Sequence, residues 1–395
     1  MQTNQYLKSL LLQEIKLNFK AEVIDSLDAV KAADWDRLAG SDNPFISHAY
    51  LYALEESGCV TAETGWQPQH ILIFDPSDTL IGAMPLYLKN HSYGEYVFDH
   101  GWANAYERIG RHYYPKMQSS IPFTPATSPK FLIDKDQDHE HIIGLLLNAA
   151  QQLTNARDAS SLHITFIDKL SCSSASNFGM LDRNDIQYHW HNNNYRCFED
   201  FLARLSSRKR KQIKKERKSI ETSGIKIRWL TGGDIKKEDW DSFYQFYIDT
   251  GNRKWGTPYL NRGFFNTIGH CLPKNIVLMM AYIDDIAIAG ALNFIGGNVI
   301  YGRHWGCSQN VKNLHFELCY YQAIDYAIAH NLSYVEAGAQ GQHKLARGYI
   351  PTKTYSAHWL SDPEFQEAVS HYLEGERVQI DLVIKALNLH TPYAK

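Results

Sequence analysis

The stretch NIVLMMAYIDDIAIAGALNFIG, Asn275–Gly296, decides how this chain folds. Two apolar runs flank the acidic pair Asp284-Asp285, and a short acidic turn between apolar runs is typical of a β-hairpin. The second run carries Gly290-Ala291 at its centre, and a third apolar segment, Asn298–Trp305, follows directly. The stretch therefore predicts a hairpin and a neighbouring third strand.

A weaker copy of this pattern lies nearer the start of the chain. Gln69–Phe74, a DPSD turn and Thr79–Lys89 predict a second hairpin, again with a central Gly-Ala pair, Gly82-Ala83. We expect Gly94–Asp99 to be its third strand. Such self-similarity within one chain indicates a duplicated fold.

In each copy, a helix and a further strand are expected to follow. The predicted helices cover His139–Asn155 and Leu314–His330, and the predicted strands cover Leu162–Ile167 and Ser333–Gly338. The apolar residues of the second helix recur along one face: Phe316, Tyr320, Ala323, Ile324, Ala327 and Ile328. The repeated order of three strands, a helix and a strand predicts an α/β fold with two similar domains.

Length and composition agree with that prediction. A chain of 395 residues is longer than one hydrophobic core usually accommodates, which favours two domains. Its content of 44% hydrophobic and 21% charged residues is typical of a globular protein. Six scattered cysteines without a CxxC pair favour a reducing compartment. No apolar run reaches the length of a membrane span, and the first residues do not resemble a cleaved leader. We therefore expect a cytoplasmic protein.

A basic segment separates the two copies. Between Arg208 and Lys218 there are eight Lys or Arg and one Glu, a local charge of +7 in a chain whose net charge is -3. The segment predicts a helix with a narrow apolar seam at Leu205, Ile213 and Ile220. Such a helix is either a solvated face or a binding site for RNA, a nucleotide phosphate or anionic lipid. The polyanion-binding candidates are Lys209, Arg210, Lys214 and Lys215.

Charged residues also crowd the stretch VEAGAQGQHKLARGYIP, Val335–Pro351. Glu336 at a strand end is a candidate catalytic base or a structural partner of the cations that follow it. His343 is a candidate for proton transfer, and Lys344 with Arg347 is suited to hold a phosphate or carboxylate. The alternative is a strand end followed by a solvated turn.

Several long motifs resemble one bacterial family. They are YPKMQSSIPFTPATSPKFL, YGRHWG, LHFELCYYQAIDYAI and VEAGAQGQHKLARGYIPTKTYSAHW, and the basic helix followed by a strand adds to them. These motifs resemble the FemAB-like N-acyltransferases of the GNAT superfamily, a group associated with peptidoglycan biosynthesis or recognition. The resemblance implies two tandem GNAT-like domains, at residues 20–190 and 236–395, joined by a basic helical segment at 191–235.

The same resemblance implies transfer of an acyl or aminoacyl group to an amine, on a peptidoglycan precursor or another small molecule. It places the reaction in a gap between parallel strands of the second domain, where Arg303 and Trp305 are expected to face a substrate. Glu317 and His315 in the first turn of the adjoining helix are further catalytic and binding candidates, although Glu317 also suits the helix dipole. Tyr114 and Lys116 are expected on the acceptor side.

The donor is left open between aminoacyl-tRNA and acyl-CoA or acyl-carrier protein. Acetyl-CoA enzymes of this superfamily carry a glycine-rich pyrophosphate loop before the helix, whereas this chain has GCSQNVKNLHFE there. Another alternative is a binding module for a peptidoglycan precursor or RNA that catalyses nothing. No permanently bound cofactor is expected, and HWHNNN, His189–Asn194, makes a poor metal site, so no metal is expected.

Overall fold

Strands account for much of the chain in the computed structural model, which describes residues 19–254, 256, 258–338 and 341–394. In chain order they are β1 (Lys20–Ile24), β2 (Trp66–Pro68), β3 (His70–Phe74), β4 (Leu80–Met84), β5 (Tyr87–Lys89), β6 (Lys116–Ser119), β7 (Leu132–Ile133), β8 (Ser161–Ile167), β9 (Leu181–His191), β10 (Lys226–Thr231), β11 (Ile276–Ile283), β12 (Ile286–Gly296), β13 (Val299–Cys307), β14 (Tyr334–Glu336) and β15 (Ile350–Leu360).

Helices connect many of these strands, and a long helix follows the last one. They are α1 (Ala32–Ala39), α2 (His48–Glu56), α3 (His100–Arg108), α4 (His139–Ala156), α5 (Lys169–Ser176), α6 (Phe198–Ala203), α7 (Ser207–Glu221), α8 (Lys237–Lys254), α9 (Arg262–Cys271), α10 and α11 (Pro363–Leu389). Helix α10 has three parts: an α-helical start at Leu314–Phe316, a π-helical turn at Glu317–Tyr321 and an α-helical end at Gln322–Ala329.

The chain divides into two compact units. Unit 1 consists of the described part of residues 1–41 with residues 45–185 and 353–381, and unit 2 consists of residues 42–44, 186–352 and 382–395. Unit 1 therefore includes the greater part of β15, from the C-terminal half of the chain, and unit 2 includes the end of β9, from the N-terminal half. The predicted segments 20–190, 191–235 and 236–395 follow chain order, whereas the compact units do not.

Unit 2 is built on the hairpin of β11 and β12. Its strand order is β10-β11-β12-β13-β14-β9, antiparallel except for the parallel pair β13 and β14. Asp284 and Asp285 form the two-residue turn with φ of 48° and 61°, the left-handed conformation that such hairpin turns require. At Gly290 a Cβ atom would lie 2.8 Å from the Phe243 ring of α8, so close packing excludes a side chain there.

Unit 1 repeats this arrangement with shorter strands. Its strands are ordered β1-β3-β4-β7 and β2-β5-β6-β8-β15, and β6 runs parallel to β8. Strands β2 and β3 together occupy the place of β11, while β4 and β5 together occupy the place of β12. In both units a helix, α4 or α10, connects the third strand to the parallel strand. The prediction of a duplicated α/β fold is confirmed.

One predicted strand is wrong. Residues Gly94–Asp99 contain no strand, and Lys116–Ser119 is the third strand of unit 1 instead. Gly94 and Tyr96 have φ of 81° and 61°, which breaks the extended conformation that the apolar spacing suggested.

The basic segment forms helix α7, as predicted, but the helix is not separate from a sheet core. Leu205, Ile213 and Ile220 are all buried and belong to the core of unit 2, together with apolar residues of β11, β12 and α10. The narrow apolar seam therefore anchors α7, and most of its basic residues are left to face outward.

Candidate active site

A fork between two parallel strands of unit 2 opens next to α10. Among the described residues, β13 and β14 pair only through Val299↔Tyr334, Ile300↔Val335 and Tyr301↔Glu336, although β13 continues to Cys307. Opposite β12, a register shift at Leu292/Asn293 leaves Arg303 as the extra residue of a β-bulge. The predicted gap between these strands and the start of α10 is present.

A small pocket of about 110 Å³ lies in this fork. Its lining residues come from β12, β13, α10 and the residue after β14: Ala291, Leu292, Asn293, Gly302, Arg303, His304, Trp305, His315, Cys319, Tyr320 and Ala337. Three of the predicted site residues, Arg303, Trp305 and His315, are therefore pocket residues.

The π-helical turn of α10 contributes Cys319 and Tyr320 to the pocket wall. One extra residue per turn displaces the side chains that follow it, and such turns occur often at functional sites. The Tyr320 hydroxyl lies 2.8 Å from Nε2 of His343, which is exposed. This hydrogen bond joins a hydroxyl group of the pocket wall to an imidazole exposed to solvent, and both groups can carry a proton.

Lys344 is a buried amine beside this site, with 2% of its surface exposed. Its Nζ donates to the carbonyl oxygen of Gly338 at 2.8 Å, just after the end of β14. Burial lowers the pKa of Lys344 to about 7, a shift that nearby Cys319 opposes and the Arg303 guanidinium reinforces. A large share of this lysine is therefore uncharged near neutral pH, which suits a proton acceptor better than a phosphate clamp.

Glu336 ends β14 with 5% of its surface exposed. Its register partners are Tyr301 on one side and His189 on the other. Burial, with a further contribution from the Glu336 carboxylate, raises the pKa of Tyr301 well above its usual range. The Glu336 side chain is not part of the pocket lining, whereas its backbone carbonyl faces Gly302.

Two other predicted residues hold α7 in place. The Arg347 guanidinium lies 3.4 Å above the Phe316 ring and donates to the Glu216 carboxylate of α7. Glu317 accepts a hydrogen bond from Gln322 at 2.7 Å and lies 3.2 Å from Arg217 of α7. Neither side chain lines the pocket, so the positions of Arg347 and Glu317 suit a structural role.

The predicted acceptor-side residues belong to unit 1. Lys116 is completely buried and donates to Ser92 at 2.8 Å, to Glu95 at 2.7 Å and to Asp99. Burial by itself would lower the pKa of Lys116, but the two carboxylates raise it above its usual value. The hydroxyl group of Tyr114 lies 2.8 Å from that of Ser92. The geometry of Lys116 is that of a buried ion cluster.

The polyanion-binding candidates lie along α7. Lys214 and Lys215 are exposed, while Lys209 and Arg210 are half-buried. Lys214 forms a surface ion pair with Glu199 at 2.8 Å. The only acidic residue within the basic run, Glu216, turns inward to Arg347 and to the hydroxyl of Tyr321. The exposed face of α7 is thereby left almost uniformly positive.

Comparison with known proteins identifies the family. The sequence profile of the FemAB-like family, described as peptidoglycan biosynthesis/recognition, matches residues 26–395. The chain belongs to the FemAB-like family. No curated protein matches it in sequence.

Solved structures share the fold at low sequence identity. FemX is 11% identical with a TM-score of 0.53, over 86% of this chain and 98% of FemX. The C-terminal domain (DUF2156) of a putative lysylphosphatidylglycerol synthetase from Agrobacterium fabrum is 8% identical with a TM-score of 0.52, over 87% and 96%. A tandem GNAT protein from clavulanic acid biosynthesis is 10% identical with a TM-score of 0.47, over 88% and 99%. The likeness to FemX and to the synthetase domain, over most of both chains in each case, confirms the predicted α/β fold.

The described part of the chain contains neither a group of metal ligands nor a membrane-spanning helix. Within residues 19–254, 256, 258–338 and 341–394, no His, Cys, Asp and Glu side chains are grouped as metal ligands. In the same part of the chain no helix has the length and hydropathy to cross a membrane.

Sequence reasoning missed Asn293, Gly302, Cys319 and Tyr320 as pocket residues. A signal was available for Asn293, which is the one polar residue in the apolar run Ile286–Gly296. Cys319 and Tyr320 gave no such signal, because a regular α-helical repeat assigns residues around a π-helical turn to the wrong face.

Proposed function

We propose that this protein is an N-acyltransferase that transfers an acyl or aminoacyl group to an amine, with a peptidoglycan precursor as the favoured acceptor. The observation that carries the proposal is the buried Lys344 amine beside a pocket at the fork of β13 and β14. Family membership supports the same reaction class and the cell-envelope acceptor. A site for recognition alone has no need of a lysine whose pKa is lowered to about 7.

In the proposed reaction the acceptor amine attacks the carbonyl carbon of the donor in the fork. A new C–N bond forms, and the bond from that carbon to the donor's oxygen or sulfur breaks. Lys344 takes the proton that the attacking nitrogen loses, and the leaving group receives a proton in turn. Arg303 in the pocket wall is suited to stabilise the negative charge that develops on the carbonyl oxygen.

Tyr320 and His343 complete the proposed proton path. Their hydrogen bond of 2.8 Å connects the pocket wall to an exposed imidazole that is in contact with solvent. Glu336 holds the end of β14 in place in this scheme, while Trp305 and His315 shape the pocket.

An aminoacyl-tRNA donor is favoured over acyl-CoA. Asn313, which precedes α10, donates from its side-chain amide to Ser219 of α7 at 3.0 Å. Helix α7 thus contacts the end of α10 at which GNAT enzymes hold the CoA pyrophosphate, and its exposed face presents cations suited to RNA. Acyl-CoA remains the second candidate donor, because the fork itself accepts either carbonyl.

The test is a transfer assay with paired donors. The protein is incubated with charged tRNAs or CoA esters and a peptidoglycan precursor that bears a free amino group, and the product is weighed by mass spectrometry. The proposal expects a mass increase equal to one acyl or aminoacyl residue. Binding of donor and acceptor without a covalent product would instead identify a recognition module.

A further inference from the structure

The pocket contains a small niche bordered by two oxygen atoms. Asn293 and Gly302 are direct cross-strand partners in β12 and β13. A Cβ atom added to Gly302 would lie 3.5 Å from Oδ1 of Asn293, 3.6 Å from the backbone oxygen of Glu336 and 3.7 Å from Cα of Ala337. The absent side chain therefore leaves room at a point where two hydrogen-bond acceptors meet.

The orientation of the Asn293 amide is fixed by its surroundings. Its Nδ2 donates to the backbone oxygens of Val277 and Ala291 at 3.3 and 3.2 Å, so the nitrogen cannot exchange places with the oxygen without losing both bonds. Asn293 is completely buried, and its Oδ1 has no hydrogen-bond partner among the described residues. A buried acceptor without a donor costs stability, which makes an external donor the expected explanation.

Glycine at position 302 is explained by space and not by backbone conformation. Its φ lies outside the left-handed region, and an added Cβ atom would have its nearest neighbours at 3.5 to 3.7 Å, which are ordinary van der Waals distances. Alanine would fit there without displacing the chain, yet it would fill the niche. The fold therefore has room for a methyl group at position 302, but a ligand in the niche would collide with it.

We propose that this niche receives the α-amino group of an aminoacyl donor, so that Asn293 and Gly302 select aminoacyl over plain acyl groups. The inference rests on the proposed function, because the amino group is placed one carbon from the carbonyl that reacts in the fork. An amino group offers an N–H to each of the two oxygens, whereas a hydroxyl group has one hydrogen and satisfies one of them. A plain acyl chain offers no N–H and leaves Oδ1 of Asn293 without a donor.

The experiment compares alanyl and propionyl donors, which differ only in the amino group, on the same carrier, either tRNA or CoA, and with the same acceptor. Wild-type protein is expected to prefer the alanyl donor. Gly302→Ala is expected to lower kcat/KM for the alanyl donor about 10-fold or more relative to kcat/KM for the propionyl donor, so that the preference of the wild type is reduced. Asn293→Leu, which removes the acceptor oxygen, is expected to erode the same preference.

Gly233→Ala serves as the matched control, since Gly233 is exposed and nothing lies within 4 Å of its added Cβ. Equal transfer of both donors by the wild type would overturn the inference and leave the proposed function standing. An equal loss for both donors in Gly302→Ala would also overturn it, because the niche would then hold the acceptor. Transfer of neither donor by the wild type would reject the proposed function and the inference together.

Discussion

Arg347 donates from Nη2 to both carboxylate oxygens of Glu216, at 3.1 Å each. The hydroxyl of Tyr321 donates to the same carboxylate, and Nη1 of Arg347 donates to the backbone oxygen of His343 at 2.9 Å. One buried ion pair thereby fastens helix α7 to the segment that carries His343 and Lys344. The basic helix and the proposed catalytic lysine belong to one connected structure.

Removing one member of this pair is expected to destabilise the fold. Arg347→Ala leaves Glu216, whose side chain is 11% exposed, without its cation, and breaking such a buried pair costs about 3 kcal/mol. Urea unfolding measures the loss. Lys218→Ala is the control, because Lys218 and Glu221 pair at the surface and should contribute less than about 1 kcal/mol. Equal effects of the two variants would contradict the structural role of Arg347.

Lys344 should control the pH dependence of transfer. Because the proposed base acts as a neutral amine, the rate is expected to rise with pH through about 7, the pKa of Lys344. Lys344→Arg keeps a permanent cation at this position and should lose about 100-fold in kcat. The measurement is kcat/KM against pH for wild type and variant. A wild-type profile that is flat from pH 6 to 9 would rule out Lys344 as the base.

The same lysine should appear in the pH dependence of stability. Between the folded pKa of about 7 and the ordinary value of 10.5, the unfolded chain holds a proton on Lys344 that the folded chain has released. The free energy of unfolding should therefore rise with pH in this window, with a limiting slope of about 1.4 kcal/mol per pH unit. Lys344→Met should lack this contribution and gain most, relative to wild type, below pH 7. Lys274→Met, at an exposed lysine, should run parallel to wild type.

The face of α7 is expected to bind RNA through its phosphates. Replacing Lys209, Arg210, Lys214 and Lys215 by Gln should weaken tRNA binding and flatten its dependence on salt, since fewer counterions are released. The control replaces four exposed basic residues of unit 1, with the same change in net charge: Lys31, Arg108, Lys135 and Lys169. Filter binding at several salt concentrations distinguishes the two. If the control weakens binding as much as the α7 variant, net charge and not α7 is responsible.

Lys116 is expected to matter for folding. Lys116→Met leaves Glu95 and Asp99, both buried, without their shared cation, at a cost of about 3–5 kcal/mol. Adding Glu95→Gln and Asp99→Asn removes the stranded charges and should recover much of that loss. Chemical denaturation of the single and triple variants tests this. If Lys116→Met were as stable as wild type, Lys116 would not be structural and would again be a candidate for binding the acceptor.

Local patterns in the sequence predicted local structure well. Helix α4 at His139–Ala156 differs by one residue from its prediction, because its apolar stripe and its Asp138 cap are contained in the segment itself. The turn at Asp284-Asp285 was also predicted correctly from its local sequence. The predicted strand at Gly94–Asp99 was wrong because Glu95 and Asp99 turn inward to pair with Lys116. That partner lies about twenty residues away, so no local pattern in the sequence indicates it.

The candidate site was predicted in outline and missed in detail. The fork follows from the order of strands and helix, and so Arg303, Trp305 and His315 were found. The niche between Asn293 and Glu336 depends on strand register and on a bulge at Arg303, and both arise from pairing between distant segments. Arg347 was predicted to bind substrate and Glu317 to be catalytic, because the sequence does not reveal that α7 supplies their partners.

The two halves of this chain have become inseparable. A fragment ending before α7 would lack β15, the antiparallel neighbour of β8, while the remaining fragment would lack β9, the neighbour of β14. Each would be left with an open sheet edge that invites aggregation. After a duplication, one copy can usually be lost or moved to another protein. Here each half contains a strand from the other half of the chain, so neither copy can be removed without exposing a sheet edge of the other.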